Sequence, residues 1–197
     1  MKRLLQLASL TVFLAPTAAL AHTGVGDTSG FMHGFMHPLG GLDHQLAMIL
    51  VGIFAYQLGG RALWLVPLTF VGIMAVGGFL GIAGVPVPFI EIGIALSVIV
   101  LGAIVAFGVK VPVAVAMGIV GLFAIFHGHA HGSEMPMDAS GIEYGLGFML
   151  ATALLHAVGI GIGFMIGMIT KWLGNNVYRV AGGLASVAGV GILLGVI

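Results

Sequence analysis

Long apolar stretches separated by short polar connections make up most of the chain after residue 37. A transmembrane α-helix needs ~20 mainly apolar residues to cross a hydrocarbon core of ~30 Å, and each stretch is close to that length, although the fourth is short and the fifth is long. The six predicted spans cover residues of about 38–58, 62–82, 89–107, 111–126, 142–169 and 177–197. The pattern therefore predicts an all-α integral membrane protein in which residues 22–197 form one six-helix membrane domain.

The first 21 residues follow a different pattern. A basic start precedes the short apolar run Leu4–Leu14, which ends before Pro16, and Ala19-Leu20-Ala21 supplies the small residues that signal peptidase needs. Because the apolar run is shorter than a bilayer span, we interpret residues 1–21 as a cleaved secretory signal peptide, with an uncleaved first transmembrane helix as the alternative. Cleavage after Ala21 would make His22 the first residue of the mature chain, outside the cytoplasm.

Charged residues are scarce and are distributed asymmetrically. They form only 6% of the chain, against roughly 25% in an ordinary globular domain, which excludes a water-soluble fold. Six basic residues balance six acidic ones, so there is no net charge to attract nucleic acid. When the spans are threaded from an outside start, the acidic residues lie at or near the outer face, and the basic residues of the mature chain all lie on the cytoplasmic side, as the positive-inside rule expects. These basic residues are Arg61, Lys110, Lys171 and Arg179. We therefore predict an N-out, C-out protein of the bacterial inner membrane.

A first polar cluster lies at the outer start of the first span and contains His33, His37, Asp43 and His44. Pro38 suits the first turn of a helix, and His37 and His44 are about two turns apart, so they share a face if the helix extends back to His37. Asp43 would either bind a cation or orient an imidazole by accepting its hydrogen bond. An acid–histidine pair within a membrane is costly, which favours a functional role over local capping.

A second cluster, at the outer end of the fourth span, contains His127, His129, His131 and Glu134. Its nitrogen and oxygen donors can surround one divalent ion, and the chain has no cysteine, so the donor set suits nickel, cobalt or zinc better than cuprous copper. We expect these residues to lead into a polar loop of about 128–141, and the alternative is a solvated loop that captures metal loosely or senses pH. Methionines close to the outer histidines keep a copper site open as a further alternative: Met32, Met36, Met48, Met135 and Met137.

Four further positions have two interpretations each. His156, near the middle of the fifth span, is either a ligand deeper along a permeation path or a hydrogen-bonded core histidine. Glu91 and Glu143 begin the third and fifth spans, where an acid favours the helix dipole; Glu143 is also a candidate ligand because it is close to the second cluster. His22 would offer an α-amine and an imidazole for chelation, or would be a frayed terminus.

The segments His37–His44 and Phe126–Glu134 resemble the two motifs of the HupE/UreJ family of nickel and cobalt permeases. The signal peptide and the six spans also match, so the resemblance covers essentially the whole chain. It implies that six residues are needed for transport: His37, Asp43, His44, His127, His131 and Glu134. His129 occupies a variable position of the second motif, so the resemblance does not extend to its imidazole. The resemblance also implies a functional link to a hydrogenase, urease or cobalamin system.

These observations predict secondary uptake of a divalent transition metal, nickel first, through a site on the outer face. Imidazole and carboxylate ligands would replace the water shell of the ion and would bind it weakly enough for release. Ni²⁺ or Co²⁺ is the cargo, and no prosthetic group is expected. The chain lacks a Gly-x-x-x-x-Gly-Lys-Ser/Thr sequence, so direct drive by ATP is not expected.

Three alternatives remain open: a cobalt permease for cobalamin supply, an intramembrane zinc-dependent hydrolase, and a metal-sensing accessory protein. The hydrolase is disfavoured because neither His-Glu-x-x-His nor Gly-x-Ser-x-Gly occurs in the sequence.

Overall fold

A computed structural model describes residues 30–135, 140–173 and 176–197, with the backbone alone for 169–173. Within these ranges the chain forms seven α-helices and no strand. The helices are α1 (Gly30–Gly40), α2 (Leu42–Leu58), α3 (Ala62–Ile82), α4 (Ile90–Phe107), α5 (Val113–Ser133), α6 (Gly141–Leu173) and α7 (Asn176–Leu193). The predicted signal peptide and His22 lie outside the described residues.

Five helices, α3 to α7, are each long and apolar enough to cross a membrane. A sixth candidate span consists of α1 and α2 together, and it is broken, because the two helices are bent by 83° relative to each other. The chain is therefore a multi-pass membrane protein, and its described part is helical throughout. Helix α3 has the predicted bounds, and α4 and α7 begin within a residue of theirs.

The prediction of the first span as one continuous helix is wrong. The sequence predicts one helix starting near Pro38, whereas α1 begins at Gly30, contains Pro38 and ends at Gly40. Gly41 has an extended backbone (φ −99°, ψ 127°), and a new helix starts after it. Two successive glycines are poor helix formers, which accounts for the position of the break. The face that His37 and His44 were expected to share does not exist, because the two residues lie on different helices.

The fourth span is longer than predicted, because α5 continues through the expected loop as far as Ser133. Gly128 and Gly132 account for the extension. A Cβ atom at either position would overlap a backbone carbonyl of α3, at Met74 and Gly78 respectively. The glycines thus let the two backbones touch, and the dispersion attraction between these backbones offsets the low helix propensity of glycine.

The same type of close approach joins three other pairs of helices. One is α1 with α6, where a Cβ at Gly34 or Gly147 would overlap a backbone carbonyl of the partner helix. Gly52 of α2 packs against Gly159 of α6, and Gly102 of α4 packs against Gly182 of α7. In the described part of the chain the membrane domain is therefore built largely from closely packed helix pairs, namely α2 with α6, α3 with α5, α4 with α7, and α1 with α6. Glycines inside these helices thus allow tight helix packing.

Buried polar side chains are few in the described part of the chain, and most are histidines: Ser97, His127, His129, His131, Thr152 and His156. All but Ser97 lie on α5 and α6, while the rest of the core is apolar. The polar chemistry of the interior is thus concentrated on α5 and α6.

Candidate metal site

Four imidazoles from three helices meet at one end of the bundle. The His131 ring is central, with its centroid 4.5 Å from that of His37 and 4.3 Å from that of His44. The His44 ring also lies 5.1 Å from the ring of His127, one turn before His131 on α5. With two neighbouring carboxylates these imidazoles form what we call the histidine cluster: His37, Asp43, His44, His127, His131 and Glu134.

The carboxylate of Asp43 holds the imidazole of His44. Its Oδ1 atom accepts hydrogen bonds from the His44 backbone N–H (2.8 Å) and from His44 Nδ1 (2.7 Å). In a neutral ring this arrangement places the proton on Nδ1 and leaves the lone pair on Nε2. Nε2 is buried and has no hydrogen-bond partner among the described residues. Of the two roles expected for Asp43, the geometry favours the orienting one, which is typical of carboxylate–histidine–metal arrangements.

His127 is oriented in the same sense by its own helix. The side chain is fully buried, and Nδ1 donates to the carbonyl oxygen of Phe123 at 3.0 Å. Nε2 is left buried without a partner in the described structure. His44 and His127 therefore each offer one Nε2 lone pair, fixed by a hydrogen bond on the opposite side of the ring.

His131 is 3% exposed, and neither of its ring nitrogens has a hydrogen-bond partner among the described residues. Its ring packs 4.2 Å from that of Phe148. Leaving a buried polar group unpaired costs about 1–3 kcal/mol. A ligand bound jointly by this imidazole and its neighbours in the cluster accounts for such an arrangement better than packing does.

The exposed edge of the histidine cluster has a mixed donor set. His37, His131 and Glu134 each offer a ligand atom, and the three atoms lie within 4.8 Å of one another. His37 Nε2 and Glu134 Oε2 are 3.6 Å apart. Two ligands at ~2.1 Å from one ion are at most ~4.2 Å apart, so rotations that move these atoms by less than ~1 Å would suffice to bind it.

The remaining predicted residues lie outside this donor set. His129 is buried on the other face of α5, where its Nε2 is 2.7 Å from the Val85 carbonyl oxygen. Glu143 is exposed near the start of α6. His33 is exposed, with its ring 6.4 Å from that of His37. His156 is fully buried deeper in the bundle, next to Phe70.

Aromatic side chains border the cluster, and they were not among the residues predicted to form the site. Tyr144 lies beside His37, Phe148 beside His131 and Phe70 beside His127. A signal for two of them was available, because Tyr144 and Phe148 are spaced four apart on α6 and so face the same way. The aromatic rings keep one side of the imidazole group dry, which strengthens any interaction of the imidazoles with a cation.

Chemically, the cluster combines several neutral nitrogens with few carboxylates. Imidazole suits nickel, cobalt and zinc, and the absence of thiolate removes the strongest ligands for soft ions. The arrangement can replace part of a hydration shell stepwise, from the partly exposed His37 to the buried His127.

Comparisons with known proteins identify the family of the chain. The sequence profile of the HupE/UreJ protein family matches residues 10–192. The chain is also 46% identical over 187 residues to Protein HupE of Rhizobium leguminosarum bv. viciae, which covers 95% of this chain and 96% of that protein. No solved structure matches the chain.

Proposed function

The chain belongs to the HupE/UreJ family, and from this premise we propose that it is a secondary permease for a divalent transition metal. Nickel is the proposed cargo, and cobalt is the alternative within the same family. The protein acts as a carrier in this proposal and performs no covalent chemistry.

One observation carries the proposal: two helices that are distant in sequence, α2 and α5, bring together imidazoles with unpaired nitrogens. His44 Nε2, His127 Nε2 and both ring nitrogens of His131 are buried without hydrogen-bond partners in the described structure. Buried polar groups are normally paired, so several unpaired nitrogens side by side point to an external ligand. The lone pair of a neutral imidazole nitrogen binds a metal cation.

In the proposed path, His37 and Glu134 capture the hydrated ion at the exposed edge, and His131 takes it over. His44 and His127 then bind it further inside. The modest number of charges in the cluster favours release as well as binding, which a carrier requires.

We further propose that residues 1–21 are a cleaved signal peptide and that both termini of the mature chain face the periplasm. The histidine cluster then opens to the periplasm and the basic residues face the cytoplasm of the bacterial inner membrane, in keeping with the positive-inside rule. Mass spectrometry of the purified chain should find His22 at its amino terminus. An intact Met1 would contradict the cleavage.

The membrane potential is a sufficient energy source for uptake in this orientation. Moving one charge is worth about 2.3 kcal/mol per 100 mV, so inward movement of a divalent ion gains about 4.6 kcal/mol per 100 mV. The imported nickel would supply a metalloenzyme system, of which a hydrogenase is the first candidate, with urease or cobalamin systems as alternatives.

Radiolabelled nickel and cobalt uptake into cells tests the proposal. Cells that express the chain should accumulate nickel above cells with an empty vector, and His44→Ala and His131→Ala should abolish the difference. His129→Gln is the matched control, because His129 is a buried histidine of the same helix whose nitrogen bonds to a backbone carbonyl instead of facing the cluster.

Membrane abundance of each variant is measured by immunoblotting, so that loss of transport is separated from loss of protein. Equal accumulation in wild type, His44→Ala and His131→Ala at equal abundance would refute the permease. Loss of uptake in His129→Gln alone would refute the assignment of the path.

A further inference from the structure

His156 has the same features as the cluster histidines, although it lies outside the cluster. Its side chain is 1% exposed, and neither ring nitrogen has a hydrogen-bond partner among the described residues. His129, also buried, differs because one of its ring nitrogens is paired: its Nε2 lies 2.7 Å from a carbonyl oxygen, although its Nδ1 has no partner among the described residues. The core-histidine interpretation of His156 requires such a partner, and the described part of the chain does not provide one.

The position of His156 is deeper in the bundle than the cluster. Phe148 contacts His131 in the cluster, and His156 follows Phe148 on α6 by eight residues. At 1.5 Å per residue this separation is about 12 Å along the helix, more than a third of a hydrocarbon core of ~30 Å. Phe148 and His156 are two turns apart and so lie on similar faces of α6.

Phe70 connects the cluster to His156. Its fully buried ring has its centroid 5.5 Å from that of His127 and 5.1 Å from that of His156, nearly perpendicular to the latter at 88°. A dry aromatic ring therefore lies in contact with the last imidazole of the cluster on one side and with His156 on the other.

Two more side chains with atoms that can bind a metal lie one helical turn from Phe70 and His156, on the side nearer to the cluster. The hydroxyl of Thr152 donates to the sulfur of Met74 across the α3–α6 contact, at 3.7 Å. Thr152 precedes His156 by one turn of α6, and Met74 follows Phe70 by one turn of α3. Of these groups the imidazole is the one that suits a divalent ion such as nickel, whereas the thioether is a softer ligand.

From these contacts we propose that His156 is a second metal-binding position, inside the membrane and separated from the histidine cluster by the Phe70 ring. The inference rests on the proposed carrier function and extends it from one binding site to two in succession. The ion passes from His127 along the edge of the Phe70 ring to His156. Having a second, weaker site lets the ion leave the cluster without returning to water.

The test measures binding and transport separately. Purified chain in detergent is dialysed against radiolabelled nickel in four forms: wild type, His156→Gln, the double variant His44→Gln/His131→Gln, and the triple variant that adds His156→Gln. The double variant should retain saturable but weaker binding, and the triple variant should lose it. His156→Gln alone should keep the tighter binding of the cluster while nickel uptake by cells falls to the level of the empty vector.

Retained cluster binding by His156→Gln shows that this variant is folded, and His156→Asn provides a second variant if glutamine is not tolerated. Identical residual binding in the double and triple variants would overturn the inference, as would normal uptake by His156→Gln. The two proposals fail differently. Absence of uptake in wild type would refute the carrier, whereas His156-dependent binding in the double variant would still establish the inner site.

Discussion

Replacing Asp43 with asparagine should weaken nickel binding by about 10- to 100-fold without unfolding the protein. Asp43 Oδ1 accepts a 2.7 Å hydrogen bond from His44 Nδ1, and a hydrogen bond to a charged group is worth about 1.5–3 kcal/mol. Since about 1.4 kcal/mol corresponds to a factor of ten in Kd, loss of most of that energy gives the stated range. An asparagine amide can also donate to Nδ1, which would move the ring proton to Nε2 and block the ligand atom.

The assay is equilibrium dialysis of purified protein against radiolabelled nickel, arranged as a double-mutant cycle. If Asp43 acts only by orienting His44, Asp43→Asn should have no effect in a His44→Gln background, and the two changes should be strongly non-additive. If Asp43 binds the ion directly, the two effects should add. Glu143→Gln is the matched control, because it neutralises an exposed acid outside the cluster, and it should leave Kd unchanged.

A Kd for Asp43→Asn within a factor of two of wild type would refute the orienting role altogether. Full additivity in the cycle would replace it with direct coordination. Gel filtration of each variant as a single species ensures that the Kd values describe folded protein.

Three further predictions concern the backbone and the topology. Gly41→Ala should weaken nickel binding, because a Cβ at Gly41 would lie 2.6 Å from the Asp43 carboxylate that orients His44. Gly40→Ala should leave binding unchanged, because a Cβ at Gly40 meets nothing within 4 Å. Equilibrium dialysis of both variants against nickel checks this. Gly128→Ala should lower the thermal unfolding temperature and membrane abundance, because its Cβ overlaps a carbonyl of α3, whereas Gly145→Ala, in open space, should behave as wild type. Alkaline phosphatase fused after Lys110 should be inactive and the same enzyme fused at the carboxyl terminus should be active; the opposite pattern would contradict the proposed orientation.

The sequence was sufficient for the helical type of the fold and for the five unbroken spans because lipid imposes a simple requirement. Each span must satisfy its own backbone and present apolar side chains, so length and hydropathy locate it. Helix α3 was predicted to the residue for this reason. The broken first span was missed because hydropathy does not report a change of direction, and the Gly40–Gly41 pair looked like two of the many glycines that pack helices.

The residues of the candidate site were identified from the sequence, but their arrangement was not. Acid–histidine spacing pointed to His44 and His131, yet their contact depends on how α2 and α5 pack, which no local pattern states. The loop expected around His131 is helical because Gly128 and Gly132 fit the backbone of α3, a tertiary contact that offsets their low helix propensity. The same limit applies to Phe70, an ordinary apolar residue of a span until its neighbours are known.

The close approaches at glycine have a mechanical consequence. His44 lies on α2, whose backbone is locked to α6 through Gly52, whereas His131 lies on α5, whose backbone is locked to α3 through Gly132. Close-packed backbones resist sliding, so each helix pair behaves as a rigid unit. The contact between the two pairs is formed by side chains and is easier to deform. An ion bound by both His44 and His131 would therefore hold the two helix pairs in one relative position, and its release would let them move relative to each other.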